Sequence, residues 1–543
     1  MPRDNTTRPA VSPGLLILLL VLLLGGVQLY FWTDRSMPID EVSQLLNYPL
    51  ADFAQAFGPL PEAQQAGPPL FNLLMHAIAG LDIQAMRLVI AALTLAIIVP
   101  SLVTAFKWKP LPVAAALFAL LVNESFLLNA TKLKFYSFDI AGFAVLAAWI
   151  YTKDRNTPLR LVDVLLIVAA MVIGISTIVG ACVVVGLFLA LRLARKELKG
   201  REIGLGVLVA IVAFAYYLQI SYATELQITA FPDTYSGLGV DAAKKFLLAA
   251  ARLFQVNGAI ILLVLLIVAF AAMMVLRGAA RSPLGVLLLF GAASSTIFLA
   301  LAIIGKYPAV DARHVAWMLG IFAVLAGAVV EAMSSPQFRE RRPLATGCTA
   351  LFVLVLAAVG LREVTKWPPA VTEGATDGIV ATLAALPPST VVNYFGAPRM
   401  IPLELARGAP ITQHTYVPSL STRSGAVDPS YFGSTWMEMD ADSFSDKIEQ
   451  MLRDDPAGWA KMVVLLRLRD DYRPLARFAL DAAPREGRPF YIAALHVAWG
   501  EAAQDQRAIG LRQVLDERSC TYAPVVAYEG LLSPGFVLKA SCP

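Results

Sequence analysis

Apolar runs of the length that crosses a bilayer as a helix, about 20 residues, recur along this chain. They fall near 14–32, 84–106, 110–129, 137–152, 161–177, 178–195, 202–220, 253–276, 284–304, 314–333 and 345–362. The pattern predicts an α-helical polytopic membrane protein of about eleven transmembrane helices. Its least marked boundary separates the fifth run from the sixth, where only Ser176-Thr177 and Gly180 intervene. The first run follows Arg3 and Arg8 but has the length of a full span, and no small-x-small cleavage site comes after it. It therefore reads as a retained anchor rather than a secretory signal.

Between the first two runs, the loop 33–83 keeps a helical rhythm. Val42, Leu45, Leu46, Leu50, Phe53 and Phe57 recur at helical spacing with Glu41, Gln44, Asn47 and Asp52 between them. This predicts an amphipathic helix lying on the membrane surface. After the breakers Gly58-Pro59-Leu60-Pro61, the prolines Pro68 and Pro69 open a second apolar run, where a missing N–H at a helix start does no harm. From about 363 hydropathy falls and Pro, Gly and charge rise. The chain thus divides into a transmembrane domain, 1–362, and a C-terminal soluble domain, 363–543, of ordinary size. Thr390–Phe395 and Met462–Leu466 read as buried strands, Tyr491 to about Arg518 as a helix, and Gly535–Ser541 as a last strand. An α/β or α+β domain follows.

Composition agrees with the pattern: 57% of the 543 residues are hydrophobic and 15% charged, which is no soluble enzyme with a large core. Charge placement sets the orientation. With a cytoplasmic N-terminus, the inside loops hold Lys107/Lys109, Lys153/Arg155/Arg160, Arg192/Arg195/Lys196/Lys199/Arg201, Arg277/Arg281 and Arg339/Arg341/Arg342. Every inside loop is then basic, as the positive-inside rule asks. The loop 33–83, the connection 130–136, the loops 221–252 and 305–313 and everything after about 363 fall outside. Tyr30, Trp32, Trp108, Trp149 and Trp317 at span ends suit the interfacial belt. No basic block with interleaved aromatics points to nucleic acid. Cys182 and Cys348 fall in apolar spans and read as buried packing residues, whereas Cys520 and Cys542 could form a disulfide in an oxidising compartment. His76, His314, His414 and His496 are too scattered for a zinc site.

Candidate chemistry gathers outside. Asp40-Glu41 lies just beyond the first span, and a carboxylate there can take a proton from an acceptor hydroxyl. Asp40 after Pro38 is equally a good helix N-cap, with Glu41 favourable to the dipole. Lys132, Lys134 and Tyr136 alternate, so in an extended connection they point one way and could hold a phosphate; span-end lysines also snorkel to headgroups. Lys306, Tyr307, Arg313 and His314 form a second basic group. His76 reads as packed or capped, and Arg87 as a residue tying the loop to the acidic pair or marking the interface.

An outside Asp-Glu pair, then Pro68-Pro69-Leu70-x-x-x-Leu74-x-His76, then Arg87 entering the second span, resembles the GT-C superfamily of polytopic glycosyltransferases. The nearest branch uses lipid-linked sugars and includes protein O-mannosyltransferases, lipid A aminoarabinose transferases and Rgt-type galacturonosyltransferases. The resemblance covers roughly residues 14–150, and the remaining spans match only by pattern. After the third span the family pattern reads an acidic residue, an Arg and a Tyr; this chain has Lys132-Leu133-Lys134-Phe135-Tyr136, with lysine in the basic place. The resemblance implies an inverting transferase in a bacterial inner membrane, moving a sugar from a polyprenyl-phosphate donor to a glycolipid, polysaccharide or protein on the periplasmic face. Asp40 would be the base, with Glu41 supporting it or orienting the acceptor. Lys132, Lys134, Tyr136, Lys306 and Arg313 would contact the donor phosphate, with His76, Arg87 and His314 near the site. No cofactor is required, and a divalent metal is the less favoured option. The alternative is a lipid or polyanion transporter or flippase, which intramembrane charge, broken helices or a repeat of halves would favour. A mere membrane anchor for the C-terminal domain leaves eleven spans unexplained.

Overall fold

The computed structural model of the chain describes residues 12–340 except 49, 51, 59, 61–66, 231–238, 276–281 and 309–310. It also describes scattered positions of 343–362 and 443–450, and residues 374–417, 471–500 and 504–543 except 532. The membrane part runs α1 (Pro13–Thr33), α2 (Ile39–Leu45), α3 (Pro69–Ile78), α4 (Ile83–Ala105), α5 (Pro110–Leu121), α6 (Glu124–Ala130) and α7 (Tyr136–Thr152). It continues through α8 (Leu161–Val172), α9 (Thr177–Ala194), α10 (Gly200–Ala230), α11 (Val240–Val275), α12 (Pro283–Ile303) and α13 (Met318–Met333). The chain is thus a multi-pass membrane protein, and the first ten expected spans all fall on helices. The eleventh, 345–362, falls among the scattered positions.

Among the described residues five helices, α1, α4, α9, α10 and α12, are long and apolar enough to cross a bilayer alone, and two bent pairs, each counted as one span, bring the number to seven. The expected span 110–129 does not run straight. It turns by 84° between α5 and α6, because the Asn123 carboxamide accepts the Phe126 N–H at 3.0 Å and starts a new helix. Hydropathy registers the apolar residues and is blind to the cap. The expected span 253–276 is likewise the second part of a longer helix, broken at Gln255, whose φ is 49°.

Helix α7 forms the centre, buried along nearly its whole length. Between helices in lipid there is little hydrophobic drive, so close backbone approach matters more. Gly320 of α13 provides it: a Cβ there would collide with the Ile140 carbonyl of α7. The same core corrects two sequence expectations. Trp149 and Trp317 are no interfacial anchors but are buried in the bundle, Trp317 stacking on Phe298 at 4.5 Å. Cys182 is exposed, whereas Cys348 is buried. A lipid-facing helix side is as apolar as a core-facing one, so composition could not separate the two cysteines.

The C-terminal part carries β1 (Thr390–Phe395), β2 (Thr415–Val417), β3 (Phe490–Leu495), β4 (Thr521–Tyr528) and β5 (Gly535–Ser541), with helices α14 (Thr376–Ala385), α15 (Ala397–Ala406), α16 (Arg473–Asp481) and α17 (Gln506–Glu517). The sheet order is β2-β1-β3-β5-β4. Strand β1 is parallel to β2 and β3, and β5 is antiparallel to β3 and β4. The helix expected from Tyr491 is instead strand β3, and helix begins only at Gln506, where Asp505 caps it. All six residues of β3 are buried. A strand covered on both faces reads as a continuous apolar run, which periodicity cannot tell from a buried helix. The expected strand Met462–Leu466 lies outside the described residues. A disulfide joins Cys520 to Cys542, tying the start of β4 to the end of β5.

This layer sits directly on the first loop. Thr376 Oγ1 donates to the Met37 carbonyl at 2.7 Å, the Asp377 N–H to Ser36 Oγ at 3.0 Å, and Arg399 to Ser43 Oγ at 3.1 Å. Gly374 lies so close that a Cβ would strike the Met37 carbonyl. One apolar cluster joins Met37, Val42 and Leu45 of the loop to Ile379, Leu383 and Met400 of the cover. The expected amphipathic surface helix is therefore corrected. Helix α2 stops at Leu45, and a separate 3-10 turn spans Phe53–Phe57. Its interleaved polar residues Glu41, Gln44 and Asn47 are buried, and they find partners within the protein: Glu41 meets Arg35 and Arg87, Gln44 the Tyr48 hydroxyl and Asn47 the Ser43 carbonyl.

Candidate active site

The two acidic neighbours are held in opposite ways. Glu41 points into the protein, its side chain 0% exposed, and pairs with two arginines from different elements. Arg35 donates to one carboxylate oxygen at 2.8 Å, Arg87 of α4 donates to the other, and the Leu133 N–H adds a third bond at 3.2 Å. The arginines are themselves tied to backbone. Arg87 donates to the carbonyls of Thr33 at 2.9 Å and Arg35 at 2.6 Å, and Arg35 to the carbonyl of Trp32 and the hydroxyl of Thr131, both at 2.7 Å. The end of α1, the start of α2, helix α4 and the turn after α6 are thereby fastened at one carboxylate. Burial alone would raise the Glu41 carboxyl, but the charges of Arg87, Arg35 and Lys132 outweigh it and hold it at about 2.

Asp40 points the other way. Helix α2 is capped by Pro38 with no side-chain cap bond, so the Asp40 carboxylate does not serve as the N-cap. It pairs instead with Arg313, from the 3-10 turn Ala312–Val315, and lies 4.0 Å from Lys132 Nζ. Its side chain stays 36% exposed and that of Arg313 30%. Of the adjacent acids, this is the one that a substrate can reach.

Lys132, Lys134 and Tyr136 do not form the extended alternation expected of them. The connection turns on itself, with the Lys134 N–H donating to the Lys132 carbonyl at 2.7 Å, and Leu133 is buried between the lysines because its N–H is drawn to Glu41. Both lysines are nearly buried at the same cluster. Burial first, then repulsion from Lys132, pushes the Lys134 ammonium down to about 7, against the attraction of Glu41. The Tyr136 ring meets His314 edge-on at 6.4 Å, which brings the two basic loops together.

The remaining candidates separate. Lys306 is exposed and forms no ion pair among the described residues. His76 is also exposed, and its Nδ1 accepts the Leu50 N–H at 3.0 Å, bracing the loop. His314 contributes its carbonyl, which accepts from the Tyr307 hydroxyl. That hydroxyl lies 3.4 Å from Ser176 Oγ, and Ser176 bonds Asp139 of α7 through its N–H at 2.8 Å and its hydroxyl at 3.2 Å. Asp139 thus fixes the start of α9 and, through Ser176 and Tyr307, the turn that carries Arg313. Arg35, Thr131 and Asp139 were missed in the sequence. Their only signal was polarity inside or beside apolar runs, and the partners of Arg35 and Asp139 include residues 96 and 37 positions away.

The site is therefore an accessible carboxylate, Asp40, between Arg313 and Lys132, with Asp311 3.3 Å from the other side of Arg313, all mounted on a buried ionic lock. No family model matches the chain, and no curated protein matches it by sequence. Among solved structures, ArnT from Cupriavidus metallidurans bound to undecaprenyl phosphate is similar, 13% identical over 97% of this chain and 97% of that one, with a TM-score of 0.43. At that identity and superposition no residue role passes from that protein to this one.

Proposed function

We propose that the chain is an inverting GT-C-type glycosyltransferase of a bacterial inner membrane, taking its sugar from a polyprenyl-phosphate donor on the periplasmic face. The observation that carries this reading is the division of labour between Asp40 and Glu41: the first is exposed between Arg313 and Lys132, the second buried in the lock. The membrane part, 1–362, would hold the donor, and the C-terminal part, 363–543, would cover the acceptor.

In the step proposed, the acceptor oxygen attacks C1 of the sugar from the face opposite the phosphate. The new C1–O bond forms as the C1–O bond to phosphate breaks, the hydroxyl proton passes to Asp40, and the electron pair leaves on the phosphate. Phosphate is a good leaving group, so one base and fixed positive charge suffice. Arg313 and Lys132 would supply that charge, with Lys134 and Tyr136 at the edge of the donor site. The same two cations pair with Asp40 in the structure. A donor phosphate would draw them away, leaving the carboxylate free to act as base. Glu41, Arg35 and Arg87 would position Asp40 without touching substrate.

The test is mass spectrometry of envelope glycolipids, polysaccharides and proteins from cells with and without the chain. A species heavier by one sugar should appear only when the chain is present. Identical profiles, together with uptake of lipid-linked sugar into vesicles lacking any acceptor, would favour a transporter instead.

A further inference from the structure

The end of the bundle opposite Asp40 carries a concave feature. Helix α7 starts beside the acidic cluster at Tyr136 and ends at Thr152, and α9 likewise runs from Ser176 to the far end. The loops there are joined to one another: Arg192 donates to the Arg155 carbonyl at 2.9 Å, and Arg195 to Asn156 at 3.2 Å. Between the starts of α8 and α10 lies a cavity of about 520 Å³. Arg160, Lys199 and Arg201 line it, together with apolar residues that include Leu161 and Val162.

The charges in this cavity are unbalanced. Its one carboxylate, Glu202, is buried and turned inward, where it accepts from Arg192 at 3.2 Å and from the N–H groups of Leu159 and Lys199 at 3.0 Å each. Asp163, the nearest acid on α8, is taken by Lys153 at 2.6 Å and by Trp149. The Arg160 and Lys199 N–H groups meet Asp163 and Glu202, at 2.8 Å and 3.0 Å, but the side chains of Arg160, Lys199 and Arg201 form no ion pair among the described residues and are exposed. Below them α8 presents Leu161, Val162 and Leu165, and α10 presents Ile203 and Val207, all exposed and apolar. Three cations beside the exposed apolar faces of two helices match one amphiphile, with phosphate at the mouth and acyl chains along the helices. Snorkelling lysines and arginines alone would need no cavity.

We propose that this cavity binds the headgroup of an anionic phospholipid from the leaflet opposite the Asp40 site. The occupant is committed to a lipid because two of the lining residues, Leu161 and Val162, belong to the exposed apolar face of α8, which a free phosphate would leave uncovered. The site is independent of sugar transfer and stands or falls separately from it.

The experiment uses the full chain, delipidated in a neutral detergent, with dioleoylphosphatidylglycerol, dioleoylphosphatidylcholine or inorganic phosphate added. Native mass spectrometry reads bound lipid and a thermal shift reads stabilisation. Phosphatidylglycerol should be retained and should raise the unfolding temperature; phosphatidylcholine and inorganic phosphate should do neither. Lys199→Gln with Arg201→Gln should weaken phosphatidylglycerol binding by about thirtyfold, the loss of two juxtamembrane cations. Val162→Trp, which narrows the cavity without changing charge, should weaken it as well. Equal retention of both lipids, full binding by the double variant or by Val162→Trp, or saturation by inorganic phosphate alone would each overturn the proposal.

Discussion

Glu41→Gln separates the lock from the chemistry. The side chain is fully buried and is the shared counter-charge of Arg35 and Arg87. A glutamine oxygen can accept from one guanidinium, but its amide would then point N–H groups at the other. Removing one member of a buried ionic cluster costs about 3–5 kcal/mol. A second route gives a similar size: a carboxyl held at about 2 instead of an ordinary 4.5 corresponds to roughly 3 kcal/mol at neutral pH. The sign follows from the depressed value. The stabilisation is complete above about 4.5 and is lost as pH falls toward 2. Unfolding midpoints of purified wild type and Glu41→Gln in detergent, taken from pH 7 downward, read this directly. The variant should be much less stable at pH 7, and the gap should narrow below pH 4.5. Equal stability at pH 7, or a gap that does not change with pH, would refute the reasoning.

Four further outcomes follow from the same geometry. Arg313→Gln should lower kcat/KM by roughly 10²- to 10³-fold, the usual loss of one charge-stabilising donor, while leaving the unfolding midpoint nearly unchanged, since its pair with Asp40 is partly exposed. Lys132→Gln should act mainly on KM for the lipid-linked donor, read by initial rates over a donor series. Gly374→Ala drives a methyl into the Met37 carbonyl and should destabilise by about 1–3 kcal/mol, with faster proteolysis between the cover and the first loop. Reducing the disulfide Cys520–Cys542, which are 22 positions apart, should destabilise the sheet by about 3 kcal/mol on chain-entropy grounds, measured as a shifted denaturant midpoint with and without reductant.

What the sequence made legible was local. The apolar runs found the helices, and Thr390–Phe395 and Gly535–Ser541 have the strand bounds read from their patterns. Failures came wherever a distant part of the chain changed the surroundings. Val42 to Phe57 reads as a surface helix, but Glu41, Gln44 and Asn47 are buried in the folded chain, Glu41 against Arg35 and the Arg87 of α4. Lys132 and Lys134 were expected on an extended connection, but the Leu133 N–H is pulled toward Glu41 and the backbone bends. Arg35 gave no sign of its importance, because its worth lies in Thr131 and Glu41 meeting it in space. Asp40 and Glu41 are adjacent, and no local pattern says which faces inward; only the positions of Arg35, Arg87 and Arg313 decide it.

The central claim is that Asp40 takes the proton when the sugar moves, and single-turnover transfer from a radiolabelled polyprenyl-phosphate sugar to extracted envelope acceptor tests it most directly. The Asp40→Asn protein should bind donor with near wild-type affinity and keep its unfolding midpoint while transfer falls by at least about 10²-fold, the lower range for loss of a general base. Transfer by Asp40→Asn at near the wild-type rate would contradict the account.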